Sequence, residues 1–167
     1  MGAMMQQGMA TEVRNRLLLC IDGMQLMLPQ GDICAVESVA DLDSQDALAP
    51  AVGRIAYLGQ SWPVLSLNGE LQTLGNIPAA RRACVMLATG KGFLGLLCDD
   101  VRVLNQQSGA DYALPVAMRA ANSPIQAIMP FENGLACLSD ARHLLQYGGF
   151  AQITSIDFNA IERPEHV

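Results

Sequence analysis

The sequence is short of charge and above all of lysine: Lys91 is the only one, and charged residues make up 16% of the chain. Nine arginines are scattered along it, Arg81 and Arg82 are the only adjacent pair, and the net charge is −6. Such a surface lacks the basic footprint that nucleic acid or an anionic membrane needs, so neither is expected as a partner. Histidine is as scarce, with only His143 and His166. The five cysteines, Cys20, Cys34, Cys84, Cys98 and Cys137, form no CxxC pair. That spacing argues against zinc and predicts buried, reduced thiols packed as small hydrophobes. No apolar run approaches the roughly 18 residues needed to span a bilayer. The opening MGAMMQQGMATEVRNR has neither the charged start nor the apolar middle of a signal peptide. A cytoplasmic protein without direct membrane insertion is expected, with residues 1–13 as a loose tail and 151–167 as a second one.

Groups for catalysis are also few. His143, in DARHLLQY, reads as a partly exposed helix residue rather than a base. There is no GxSxG elbow, and TGKGF (89–93) is too short for a phosphate-binding loop and lacks a Ser or Thr after its lysine. It reads as a hairpin turn. Asp99 and Asp100 are neighbours, which in a strand point to opposite faces. One is expected to hydrogen-bond a local turn and the other to be solvated. The acidic loop with Asp41, Asp43 and Asp46 lacks the glycine and terminal glutamate of a calcium loop. No catalytic residue, metal or cofactor is expected.

What is abundant is apolar surface. Hydrophobic residues make up 51% of 167 residues, enough to bury a sizeable core in one domain and to leave part of the outside apolar. Residues 16–28, RLLLCIDGMQLML, form a hairpin around Asp22-Gly23, with Met24, Leu26 and Leu28 on one face and Met27 exposed on the other. LPQGDICAVESVADL breaks at Pro29 and Gly31 and leaves strand or helical turn open for Ile33, Val36 and Val39. A second hairpin pairs Val52–Leu58 with Trp62–Leu67 across Gly59-Gln60, and 68–82 reads as a mid-chain linker. ACVMLATGKGFLGLLCDDVRVL (83–104) gives the strongest hairpin. Gly134–Leu138 reads as a strand capped by a helix, with Ser139 or Asp140 as N-cap and Leu144 and Leu145 inward. There is also an internal echo. Gly23-x-x-Leu26 repeats as Gly90-x-x-Phe93, Asp32-Ile33 repeats as Asp100-Val101, and Cys20 to Cys34 has the spacing of Cys84 to Cys98. Two similar β-halves would produce such a pattern.

Four ordered landmarks resemble the CheW-like domain family. LMLPQGDICAV (26–36) follows that family's F-A-x-P-x-x-x-V-x-x-V through Leu28-Pro29, Ile33 and Val36. GRIAYLGQSWPVLSL (53–67) follows its G-x-x-N-L-R-G-x-x-x-P-V-x-D-L through Gly53, Gly59, Pro63, Val64 and Leu67. LGLLCDDV (94–101) and DARHLL (140–145) match two further stretches. The resemblance spans about residues 14–150. It implies a mainly β fold, two intertwined five-stranded SH3-like β-barrels with a short C-terminal helix.

It also implies an adaptor that docks the regulatory domain of a CheA-type histidine kinase and the cytoplasmic tip of a chemoreceptor. Ile33, Val36, Gly53, Leu58, Gly59 and Trp62 are the partner-binding candidates. Two departures stand out: Ala56-Tyr57-Leu58 replaces the family's Asn-Leu-Arg, and Ser66 replaces its aspartate. The alternative is therefore a CheW-like module in another assembly, such as one controlling a type IV pilus. Trp62, the only tryptophan, is either a core residue or an exposed anchor.

Overall fold

A computed structural model describes residues 14–45, 47–107, 112–113 and 123–146. Both proposed tails, Asp46 and His166 fall outside them. Strands β1 (Arg14–Ile21) and β2 (Met24–Pro29) form the first hairpin, followed by β3 (Ile33–Ser38), β4 (Gly53–Tyr57) and β5 (Gln60–Leu67). Next come the two-residue β6 (Thr73–Leu74), then β7 (Ala83–Thr89) and β8 (Gly92–Cys98). The chain continues with β9 (Asp100–Gln107), the short β10 (Tyr112–Ala113), β11 (Ala127–Phe131), β12 (Gly134–Leu138) and helix α1 (Ala141–Gln146).

These strands make two curled sheets. The first runs β10-β11-β12-β2-β1-β9 and the second β3-β7-β8-β5-β4, with β6 added on β5. Without the two-residue strands each holds five, as expected. The segment 68–82 carries β6 and joins β5 to β7 inside the second sheet, so the two sheets are not the two halves of the sequence. The second sheet is continuous in sequence, whereas the first combines the opening hairpin with β9, β10, β11 and β12.

Strand order and sense repeat between the sheets. β9-β1-β2-β12-β11 and β3-β7-β8-β5-β4 are each antiparallel except for one parallel pair, β2 with β12 and β8 with β5. The register makes Leu19 equivalent to Leu87, since they pair with Val101 and Ile33. The echo of Asp32-Ile33 in Asp100-Val101 is thus a true structural equivalence. Val36 and Val103 correspond in the same way, after a bulge between Ile33 and Ala35. The cysteine spacing is not part of the repeat: Cys20 corresponds to Ala88, four residues from Cys84 on the same strand.

Three apolar clusters explain why so many strands read as unbroken hydrophobic runs. Leu17, Leu19, Ile21, Leu26 and Leu28 of the first sheet meet Leu65, Leu67, Val85, Leu87, Leu94 and Leu96 of the second in a shared core. The other face of each sheet curls around its own core: Leu18, Met27 and Met129 in the first barrel, Trp62, Val64 and Met86 in the second. Strands between two cores are buried on both faces, and strict alternation disappears. Met27, expected to be exposed, is 1% accessible for this reason. Gly95 is needed where the strands press together, because a Cβ there would stand 2.6 Å from Cys84 Sγ.

Asp140 caps α1, accepting from the backbone N–H of His143 at 2.7 Å. Asp32, distant in sequence, accepts from the N–H of Ala141 at 2.8 Å. His143 Nδ1 also meets Asp140 at 2.9 Å. Partial burial pulls the Asp140 carboxyl upward, but the His143 backbone and ring outweigh it and hold the group below the usual carboxylate value. Leu144 is buried and Leu145 half-buried, the inward pair that the spacing predicts.

One ion cluster joins the two barrels. The side chain of Arg81 is fully buried, and its Nη1 meets Asp22 at 2.9 Å and Asp99 at 2.7 Å. Its Nη2 donates to the Leu67 carbonyl at 2.8 Å, and Asp99 also accepts from the N–H of Asp22 at 2.9 Å. Asp99 is the turn-bonding member of its pair, and Asp100 is exposed. The hydrogen bond from Arg81 holds the Asp22 carboxyl below its ordinary value. A carboxyl lowered in the folded state contributes stability that is present above its unfolded value of about 3.9 and lost as pH falls through the folded one. We expect Arg81→Met to cost roughly 2–3 kcal/mol in chemical denaturation, less than for a wholly buried pair because Asp22 is partly exposed. The variant should also lose part of the native protein's acid sensitivity below about pH 4.

Candidate protein interface

The hairpin β4–β5 turns through Leu58 and Gly59, both at positive φ (53° and 82°), the pattern of a type I′ turn that matches strand twist. Asn or Gly is favoured at such positions, and leucine is not. Behind the turn three aromatic side chains interlock. Trp62 and Phe93 meet edge to face at 5.2 Å, and Tyr57 meets Phe93 at 4.9 Å. Trp62 Nε1 donates to the Tyr57 carbonyl at 2.9 Å. Gly92, at φ 141°, lets the indole pass, since a Cβ there would lie 2.2 Å from the ring. The Tyr57 hydroxyl then donates to the Cys34 carbonyl at 3.3 Å, linking β4 to β3, the two outer strands of the second sheet. This link closes the seam of the second barrel.

The six partner-binding candidates divide here. Trp62 is 8% accessible and belongs to the second barrel's core, which decides between its two readings. Ile33 packs half-buried against the shared core, and Gly53 is buried, with Leu42 Cδ2 only 2.6 Å from where a Cβ would stand. Val36 (48% accessible), Leu58 (70%) and Gly59 are exposed beside the seam. Pro63 lies one residue before the parallel β5–β8 ladder begins at Val64, where its missing N–H costs that ladder nothing.

Two features escaped the sequence reading. Cys34 is exposed on the outer face of β3, not buried. The alternation Ile33 in, Cys34 out, Ala35 in, Val36 out is visible in the row of residues once β3 is known to be a strand. Cys84 and Cys98 are buried as expected; desolvation raises both thiols, Cys84 to about 12, and partial burial raises Cys20 and Cys137. Tyr57 as seam closure left no signal in the sequence.

The first barrel closes differently. Glu132, at φ 54°, takes the place of Leu58 in the equivalent turn β11–β12. Arg102 of β9 meets Glu132 at 3.2 Å and lies 5.5 Å over the Phe131 ring. Elsewhere, a shallow groove of about 450 Å³ is lined by Ser44, Ala47, Asn76 and Ile77 among others, none of them ionisable. In the acidic loop the Asp43 carboxylate accepts from the N–H of Gln45 at 2.9 Å. Among the described residues no helix is long and apolar enough to cross a membrane.

The chain matches no family model and no curated protein. It is similar to the crystal structure of scaffolding protein TtCheW from Thermoanaerobacter tengcongensis, with a TM-score of 0.60 over 83% of this chain and 96% of that one. The two are 15% identical, and the likeness establishes a CheW-like fold.

Trp62→Ala is expected to destabilise the protein by about 3–5 kcal/mol in denaturant unfolding, the cost of emptying a core aromatic site. A surface-anchor tryptophan would cost far less. Thiol labelling of the native protein at neutral pH should show a fast-reacting group that Cys34→Ser removes, while Cys84 reacts only on unfolding.

Proposed function

We propose that the protein is a non-enzymatic cytoplasmic scaffold of chemosensory signalling. In this reading it docks the regulatory domain of a CheA-type histidine kinase, and a chemoreceptor tip, through the seam of the second barrel. The observation that carries the proposal is the exposed apolar pair Val36 and Leu58 at that seam, on a CheW-like frame. Exposed apolar side chains beside a rigid, aromatic-backed turn suit a protein contact. The lack of enzymatic activity is supported by where the ionisable groups are engaged: Asp22, Arg81 and Asp99 hold the barrels together. Among the described residues that line it, the groove carries no acid or base. Ile33, Gly53 and Trp62 act from beneath by fixing the shape of the seam.

Leu58 in place of an arginine favours the second reading, a module in an assembly such as a pilus-controlling array. The test is a titration against the isolated regulatory domain of the host's CheA-type kinase. Val36→Asp is expected to weaken binding about tenfold or more, while its melting temperature stays near that of the native protein. Absence of binding by the native chain removes the kinase-docking reading and leaves the second.

A further inference from the structure

The second barrel closes where no ladder runs. β3 and β4 lie at opposite ends of the second sheet's order, and among the described residues no strand pairing joins the two. Two attachments bridge them instead. At one end Asp43, in the connection from β3, exchanges both backbone hydrogen bonds with Arg54, at 2.8 and 2.7 Å. At the other, beside the Leu58 turn, the Tyr57 hydroxyl donates to the Cys34 carbonyl at 3.3 Å. The first attachment is main chain to main chain, the second a single bond from a side chain.

The acceptor of that bond lies at an irregularity of β3. Ile33 pairs with Leu87 and Ala35 with Met86, so Cys34 has no partner residue on β7. Such a bulge releases the extra residue from the ladder and bends the strand. In the first barrel, Val101 and Arg102 pair with the consecutive residues Leu19 and Leu18, and no residue of β9 corresponds to Cys34. The counterpart of Tyr57 there is Phe131, which pairs with Gly134 as Tyr57 pairs with Gln60 and has no hydroxyl. Bulge and hydroxyl thus occur together in one barrel and are absent together from the other, as two parts of one device would be.

We infer that Tyr57 and the bulge at Cys34 form a releasable clasp, a conformational device by which the second barrel opens locally at its seam. When the hydroxyl lets go, the hairpin tip, residues 56–61, lifts away above the Asp43–Arg54 bridge. The Tyr57 ring then leaves Phe93, and its carbonyl leaves Trp62 Nε1. Every residue from 56 to 61 except Tyr57 is exposed, so this one side chain holds the tip down. Trp62 stays seated in the second barrel's core, over Gly92. A neutral hydrogen bond shifts such an equilibrium only about three- to tenfold, which suits a contact that is made and broken within the native state.

The inference needs no partner and stands apart from the adaptor reading. The chain's only tryptophan supplies the probe, a single indole N–H whose exchange with deuterium reads the loss of its bond to the Tyr57 carbonyl. In the native protein that exchange should depend little on urea below the unfolding transition, because a local opening exposes little surface. The backbone amides of Leu18 and Met27, in the first barrel's core, should instead follow the steep dependence of global unfolding. Tyr57→Phe keeps the ring and removes only the hydroxyl. It should speed the indole exchange about three- to tenfold and leave its urea dependence shallow. Indole exchange as steep in urea as that of the core amides overturns the clasp, since the seam then opens only with the whole fold. A rate unchanged in Tyr57→Phe overturns it as well, because the hydroxyl then holds nothing.

Discussion

A single guanidinium, that of Arg81, gathers the parts of the chain that must meet if two barrels are to share one core. It reaches the turn of the opening hairpin at Asp22, the crossing from β8 to β9 at Asp99, and the end of β5 at Leu67. These points belong to both sheets. A buried cation is stable only where its charge is matched, and two carboxylates with a carbonyl engage Nη1 and Nη2 here, while Nε is left without a hydrogen-bond partner. The leucines of the shared core supply most of the favourable burial, about 1.5–3 kcal/mol for each such side chain, but they are nondirectional. The ion cluster adds direction: it selects one orientation of the barrels among the many that would bury similar area.

That orientation matters because the repeat is cyclically displaced along the chain. The second barrel runs through β3, β4, β5, β7 and β8 in order. The first begins at β9, continues through β11 and β12, and is completed by β1 and β2 from the chain's start. The N-terminal hairpin must therefore return to strands distant in sequence, β1 to β9 and β2 to β12. Asp22, in that hairpin's turn, and Asp99, at the junction where the repeat restarts, are the two carboxylates on Arg81. The clamp lies where the permutation would otherwise leave the first barrel unattached.

Hairpins and turns were legible because glycine and aspartate punctuate apolar runs at Asp22-Gly23, Gly59 and Gly90 whatever those runs pack against, whereas the two-barrel plan came from the family resemblance. The faces of the strands were not. A period of two reports burial only when one side of a sheet is wet, and β1, β2, β5, β7 and β8 are covered on both. Met27 was accordingly misplaced outside. Cys34 was misplaced inside for the opposite reason, since its short strand lies at a sheet edge and has an exposed face. The candidate site was half legible: the stretches around Val36 and Leu58 were found by resemblance. The partners that shape them, Tyr57 on Cys34 and Gly92 under Trp62, are made by long-range contact and leave no mark in local spacing.

The asymmetry between the seams then becomes the most informative feature of the molecule. Repetition of one strand plan would by itself give two alike ends. Instead the turn at one end is met by an ion pair, Arg102 on Glu132 beside Phe131, although Val103 and Leu135 stay exposed there, while the other is closed by a tyrosine hydroxyl to a backbone carbonyl beneath an uncovered leucine. Both turns place a residue at nearly the same positive φ, so the backbone cost is common to them and cannot explain the difference. Only the side chains differ, and at the second seam the choice sacrifices solubility and turn preference together. Exchanging a paired ion for a bare leucine makes the two turns chemically distinct without altering the fold.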